Sequence, residues 1–203
     1  MSVVVAFDVD GTLTVRDCVV PFMREVAGVG RIVSASSKVL VPLAARRRDH
    51  VKAHFCREVF AGRKVSDVDD VAAMFAEKVA ASWLRHDTLA RLRWHQESGH
   101  EVVLVSASLR PYLAHLAAKL EVEHVLCTEL EVVAGSYTGE LRGANCRGPE
   151  KVSRLSAWAI ERGHSEDWNW LAHVYGDSPG DHAMFECATR AHDVSRGVID
   201  RSC

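Results

Sequence analysis

Asp8 and Asp10 are the two residues of this chain best placed to do chemistry together. They follow the apolar run Val3-Val4-Val5, which predicts a short buried strand of a parallel sheet. At the carboxyl end of an extended backbone, residues two apart face the same side. Two carboxylates that close repel each other, which raises the pKa of one unless a cation lies between them. A hard divalent ion with oxygen ligands, such as Mg²⁺, removes that conflict. Gly11 permits a sharp turn, and Thr12 brings a hydroxyl and an N–H beside the pair. The spacing suits a carboxylate nucleophile next to a carboxylate that can carry a proton.

Three later segments have the same build. Glu101-Val102-Val103-Leu104-Val105 is a second strand-like run, and it ends in Ser106-Ala107-Ser108. A helical pattern through Leu113, Leu116, Ala117 and Leu120 follows, so a hydroxyl and free backbone N–H groups stand where an anion can bind. Equally, Ser106 or Ser108 is an ordinary helix cap. Gly148-Pro149-Glu150-Lys151 opens a helix, with Pro149 in the first turn where its missing N–H costs nothing. Lys151 opposes the macrodipole there, a placement that makes sense if it reaches toward a phosphate. Finally, the strand-like run ending in Tyr175 feeds Gly176-Asp177-Ser178-Pro179-Gly180-Asp181. Asp177 can join Asp8 on a metal, while Asp181 can anchor the metal's waters or Lys151. The alternative is a solvated Asx turn.

Asp-Val-Asp-Gly-Thr-Leu-Thr at 8–14, the serine strand end, Lys151 and the Asp177/Asp181 turn, in this order, resemble the four motifs of the haloacid dehalogenase-like phosphohydrolases. The helical stretch after the first strand and the run Asn145-Cys146-Arg147-Gly148-Pro149-Glu150-Lys151 resemble its subfamily IB, the phosphoserine phosphatase-like branch. That resemblance implies Asp8 as the nucleophile that forms an aspartyl-phosphate. It implies Asp10 as the group that protonates the leaving group and then activates water. Ser106, Ala107, Lys151 and Thr12 would hold phosphoryl oxygens. Mg²⁺ would be bound by Asp8, Asp10 (through its backbone carbonyl) and Asp177, with Asp181 in support. Asp17 lies where phosphoserine phosphatases carry a glutamate that meets the substrate's amino group. Gly180 stands where they have asparagine, and Ser106-Ala107-Ser108 replaces their Ser-Gly-Gly. The branch also includes phosphatidylglycerophosphate phosphatases, which have a similar Cys–Gly–Glu–Lys element.

The elements that must position these residues follow from periodicity. Strand–helix alternation after Asp87 predicts an α/β fold with a Rossmann-like parallel sheet core. Between residues 16 and 86 strand-like runs vanish, and helical patterns cover 18–27, 31–45, 50–61 and 66–84. The expected organisation is a catalytic core of 1–15 and 87–203 with a small helical cap, 16–86, inserted after the first strand. Residues 129–141 carry a hairpin pattern with Gly135-Ser136 as its turn.

Composition narrows the function classes. With 25 basic and 27 acidic residues, the formal charge of −2 gives no general attraction to nucleic acid. No run approaches the roughly 20 apolar residues a membrane span needs. The apolar stretch Val39–Ala45 beside Arg46-Arg47-Arg48 and Lys52 is either a packed helix with a solvated basic end or a peripheral contact with an anionic membrane. Six cysteines without a C-x-x-C pair fit a reducing cytoplasm. The expected activity is Mg²⁺-dependent hydrolysis of a small phosphomonoester. Phosphotransfer to an alcohol, action on a lipid phosphate at a membrane surface, and phosphoserine hydrolysis are the alternatives.

Overall fold

The computed structural model describes residues 3–28 and 48–197. Five parallel strands form the main sheet: β1 (Val4–Phe7), β2 (Glu101–Leu109), β3 (His124–Thr128), β6 (Leu171–Gly176) and β7 (Arg190–Asp193), in the order β3-β2-β1-β6-β7. β1 is all apolar and fully buried because it pairs on both sides and is covered on both faces. The chain builds outward from β1 through β2 to β3, then crosses back to β6 and β7 on its other side. The strand order therefore reverses between β1 and β6, and a crevice forms at the carboxyl ends of strands flanking such a point. Asp8 directly follows β1, and Asp177 directly follows β6.

Alternation along the strands divides the core in two. Val5, Phe7, Val102 and Leu104 face one side, which is covered by α4 (His86–Glu97) and α5 (Arg110–Lys119). Val4, Ala6, Val103 and Val105 face the other, with Leu155, Trp158 and Ala159 of α6 (Pro149–Glu161). Pro149 begins α6 and Gly148 precedes it at φ +57°, as the punctuation of the sequence predicts. A short α7 (His182–Phe185) follows the Asp177–Asp181 turn.

The stretch between β1 and α4 is helical where described: α1 (Val19–Ala27), α2 (Arg48–Phe60) and α3 (Val65–Ser82). The predicted helix 31–45, and most of the apolar and basic stretch at 39–48, lie outside the described residues. This insertion leaves and returns through a narrow neck, where Val15 N–H donates to the Trp83 carbonyl at 2.8 Å and Arg85 N–H to that of Leu13 at 2.9 Å. Its apolar faces meet the core in a cluster of rings, with Phe22 and Phe75 at 4.8 and 5.3 Å from Tyr112 of α5.

The hairpin is β4 (Leu130–Val133) and β5 (Ser136–Leu141). Its turn is Ala134-Gly135 rather than Gly135-Ser136, because Val133 already pairs with Ser136. Both turn residues have positive φ, +48° and +75°, which matches the twist of a two-residue hairpin. The hairpin is separate from the main sheet and packs on the inserted helices. Gly62 N–H donates to the Tyr137 carbonyl and Tyr137 N–H to that of Arg63, both at 2.9 Å. A Cβ at Gly139 would lie 2.8 Å from Arg57 Cα, so only glycine allows this approach.

Away from the strand ends, β6, β7 and α4 enclose a polar network. His95 Nε2 and the Tyr175 hydroxyl are 3.0 Å apart, His95 and His100 Nδ1 atoms 2.8 Å, and His173 Nδ1 and His192 Nε2 2.9 Å. Tyr175 stacks between Phe7 and His192, each at 4.3 Å.

Candidate active site

Four strand or helix ends converge beyond the carboxyl edge of β1. The Val9–Thr14 loop is fixed by three amides, those of Thr12, Leu13 and Thr14, which all donate to the Val9 carbonyl. That leaves the Asp8 carboxylate, 5% exposed, aimed at α6. Lys151 comes from the first turn of α6 and lies between two carboxylates, with Nζ 2.5 Å from Asp8 Oδ1 and 2.6 Å from Asp181 Oδ1. Asp181 is itself held through its other oxygen by the Ser178 amide (3.1 Å) and hydroxyl (2.9 Å). A Cβ at Gly176 would lie 2.6 Å from Asp181 Cβ, so the turn closes only with glycine there.

Asp177 completes the group. Its carboxylate lies over Gly11, where an added Cβ would be 2.2 Å from Oδ2, and Gly11 has φ +83°. Carboxylate oxygens of Asp8, Asp177 and Asp181 all lie within 4.8 Å of one another. These oxygen-only donors fit a hard divalent cation, whose charge would offset an excess of carboxylate that one lysine does not balance.

Asp10 points elsewhere. Its Oδ1 accepts from the Cys18 amide at 2.9 Å and its Oδ2 from the Ser108 hydroxyl at 2.7 Å. Its carboxylate is thus outside the group that suits a cation. Of the metal ligands expected from sequence, Asp8 and Asp177 come together, and Asp181 joins them more closely than expected. Ser108 went unrecognised as part of the site, although its spacing from Ser106 was a usable signal, since residues two apart on a strand share a side. The Cys18 amide carried no signal at all, because any residue type supplies an N–H.

The remaining expected residues divide. Ser106 is buried, and its Oγ accepts from the Ser108 amide at 3.1 Å, so its own O–H stays available as a donor. Ala107, expected at the phosphate, turns its carbonyl to Lys52 of α2. Thr12, also expected there, brings its hydroxyl rather than its N–H to the site. Its N–H is taken by Val9, and its hydroxyl lies between Asp177 Oδ1 (3.3 Å) and Asp8 Oδ2 (3.4 Å). Asp17 is exposed at the start of α1, where it accepts from the Val20 amide at 3.3 Å.

Electrostatics follow from this packing. Burial pushes the Asp10 carboxyl up to about 6, with the Asp17 charge adding to the effect while Ser108 and Cys18 oppose it. Burial also raises Asp8, against the pull of Lys151 and with the push of Asp181. For Lys151, burial favours the neutral amine, but Asp8 and Asp181 outweigh it and the ammonium keeps its proton.

The profile of the haloacid dehalogenase-like hydrolases matches residues 5–186 of this chain. The protein CicA of Caulobacter vibrioides is 33% identical over 198 residues, covering 95% of this chain and 86% of that protein. A phosphoserine phosphatase of Streptococcus thermophilus is 29% identical over 157 residues, or 77% of this chain and 68% of that one. A solved substrate-bound phosphoserine phosphatase complex superposes with a TM-score of 0.65 at 15% identity, covering 94% of this chain and 85% of that one, a likeness of fold. No helix among the described residues is long and apolar enough to cross a membrane.

Proposed function

The chain belongs to the haloacid dehalogenase-like hydrolases and is a phosphatase of that family, and from this we propose an Mg²⁺-dependent phosphomonoester hydrolase that works through an aspartyl-phosphate on Asp8. The observation that carries this reading is the division of labour between the two aspartates. Asp8 faces a lysine and two further carboxylates, while Asp10, two residues on, is held apart from them by Ser108 and Cys18. In this reading one carboxylate attacks and the other transfers the proton.

In the first half-reaction an Asp8 oxygen attacks phosphorus and the ester P–O bond breaks. Asp10, whose raised pKa keeps part of it protonated near neutrality, gives its proton to the departing oxygen. In the second half, Asp10 takes a proton from water, the water oxygen attacks phosphorus, and the Asp8–phosphate bond breaks to return the carboxylate and inorganic phosphate. Lys151 offsets phosphoryl charge in both transfers, and the Ser106 hydroxyl donates to a phosphoryl oxygen. Asp8, Asp177 and Asp181 would hold Mg²⁺ directly or through its waters, with the Asp10 main-chain carbonyl as a further ligand. When bound, that ion neutralises carboxylate and phosphoryl charge so that the two can approach.

We read residues 16–86 as a cap over this site, with the 130–141 hairpin as an added part, and the substrate as a small phosphorylated metabolite. Five unpaired cysteines among the described residues fit a reducing cytoplasm. Phosphate release from a panel of phosphometabolites with Mg²⁺ tests the reading, with Asp8→Asn as control. An amide cannot attack phosphorus, so turnover should fall by several orders of magnitude while the fold persists. Activity of Asp8→Asn within about tenfold of wild type refutes the assignment.

A further inference from the structure

Lys52 reaches from α2, in the insertion, to the catalytic segment of the core. Its Nζ donates to the Ala107 carbonyl, to Thr128 Oγ1 at 3.1 Å and to Asn145 Oδ1 at 2.7 Å. These three acceptors use its three donors, and no carboxylate among the described residues pairs with it. The acceptors are themselves tied together. Thr128 Oγ1 lies 3.0 Å from the Ala107 carbonyl and 2.8 Å from Asn145 Oδ1, and it accepts from the Cys146 amide at 3.1 Å. Asn145 Nδ2 returns to α2, donating to Asp49 Oδ1 at 2.6 Å.

A partly buried cation with no carboxylate in direct contact, and only the more distant Asp10 charge to favour it, is a poor choice for simply fastening two layers, since desolvation offsets most of what its contacts give. Burial does work against this ammonium, lowering its pKa. The direction of its charge points to a different use. The Ala107 carbonyl belongs to the same peptide group as the Ser108 N–H, and a cation on the oxygen polarises that N–H into a stronger donor. The Ser108 N–H bonds Ser106 Oγ at 3.1 Å, and the Ser108 hydroxyl bonds Asp10 Oδ2 at 2.7 Å. One peptide group thus links Lys52 to the hydroxyl that faces the phosphoryl group and to the carboxyl that moves the proton.

We propose that Lys52 is a positioning residue for the phosphatase reaction: from the insertion it holds Ser106-Ala107-Ser108 in the conformation that aims Ser106 and Asp10. The proposal rests on the function proposed above and extends it, because the seating of α2 then decides whether the core is ready to react.

A double-mutant cycle distinguishes this from a merely structural contact. Wild type, Lys52→Met, Ser108→Ala and the double variant are assayed on p-nitrophenyl phosphate with Mg²⁺, with melting temperatures recorded. Lys52→Met should lower kcat by about 10–100-fold and change KM by less than about threefold, because it misdirects proton transfer more than binding. If Lys52 acts through Ser108, the double variant should be no more than about threefold slower than the slower single variant. Losses that multiply, or a Lys52→Met enzyme with wild-type kcat, overturn the proposal. Should Lys52→Met fail to fold, Lys52→Gln, which keeps polar atoms but no charge, is read by the same criteria. A wild type inactive on every ester overturns the phosphatase reading and this inference with it. An active wild type with independent losses overturns only the inference.

Discussion

Gly11→Ala isolates one distance in the site. The variant places a methyl carbon 2.2 Å from Asp177 Oδ2 and 2.7 Å from its Cγ. Carbon–oxygen contacts shorter than about 3.0 Å are repulsive, so the carboxylate must withdraw by roughly 0.8 Å. Metal–ligand distances tolerate only about 0.2 Å, and Mg²⁺ insists on near-octahedral bonds of about 2.1 Å. Asp177 is thus removed as an effective ligand, and the Mg²⁺ concentration for half-maximal activity should rise by about 10²-fold. The backbone adds a second, separable cost. Alanine at φ +83° loses about 1–2 kcal/mol of stability, which lowers Tm by about 2–8 °C for a chain of this size. Gly99→Ala serves as the control, because it has φ +73° and nothing within 4 Å of the added Cβ. It should show the same loss in Tm with no change in metal dependence. Mg²⁺ titrations of phosphatase activity and thermal melts of both variants supply the comparison. If Gly11→Ala needs no more Mg²⁺ than Gly99→Ala, the Asp177 carboxylate is not a ligand and the metal reading fails.

Lys151→Ala leaves two buried carboxylates facing each other, so kcat should fall by about 10²–10³-fold and stability in EDTA by about 3–5 kcal/mol; wild-type kinetics and melting would make Lys151 a bystander. EDTA should abolish activity and Ca²⁺ should restore it poorly, since Ca²⁺ takes more and longer bonds; full activity in excess EDTA contradicts the metal site. In mild acid the buried His95 and His173 should cost stability, opposing the raised Asp8 and Asp10 carboxyls, which gain it there. Burial lowers the pKa of His95 to about 3 and of His173 to about 4, with Arg91, His100, His192 and, for His173, Arg190 adding to the effect. An unfolded histidine titrates near 6.5, so the unfolded chain binds more protons below that pH. The stabilising term is complete above about pH 6.5 and shrinks as pH falls toward 4 and then 3, by about 2 kcal/mol per histidine at pH 5. From pH 7.5 to 5.0 the melting temperature of wild type should move down relative to that of His95→Gln/His173→Asn; equal pH sensitivity of the two refutes the assignment. Phosphoserine should be a poor substrate. Asp17 is exposed, and the space beside Gly180 is occupied by Arg147, 3.3 Å from where a Cβ would sit. Two unmet substrate contacts reduce kcat/KM by about 10²–10⁴, and a value above about 10⁴ M⁻¹s⁻¹ contradicts this.

The strand ends were legible because each couples an apolar run to a polar or glycine-rich turn, a pattern that depends on near neighbours only. Asp8, Ser106 and Asp177 fall in that class, and Lys151 was marked by the Gly-Pro start of its helix. What sequence alone did not reveal depends on contacts across the chain. Lys52 meets Ala107, and Cys18 meets Asp10, through groups that every sequence offers somewhere. β7, reading Arg-Ala-His-Asp, is half-exposed at the edge of the sheet and carries no apolar alternation to mark it. The hairpin was visible as a turn between strand-like runs, but nothing in it says which layer it will cover.

That hairpin has a consequence for how the chain is made. α2 and its neighbours are synthesised well before residues 130–141, yet they depend on them: the rings of Phe60 and Tyr137 pack edge-on at 5.9 Å, and Gly139 rests on the Arg57 backbone. On the ribosome the early helices therefore emerge with an apolar face uncovered, and they must wait for some 70 further residues before it is sealed. Closing so long a loop is slow relative to forming the helices themselves. Residues 16–86 excised as a fragment would carry that same open face, making them a piece that associates rather than a domain that folds alone.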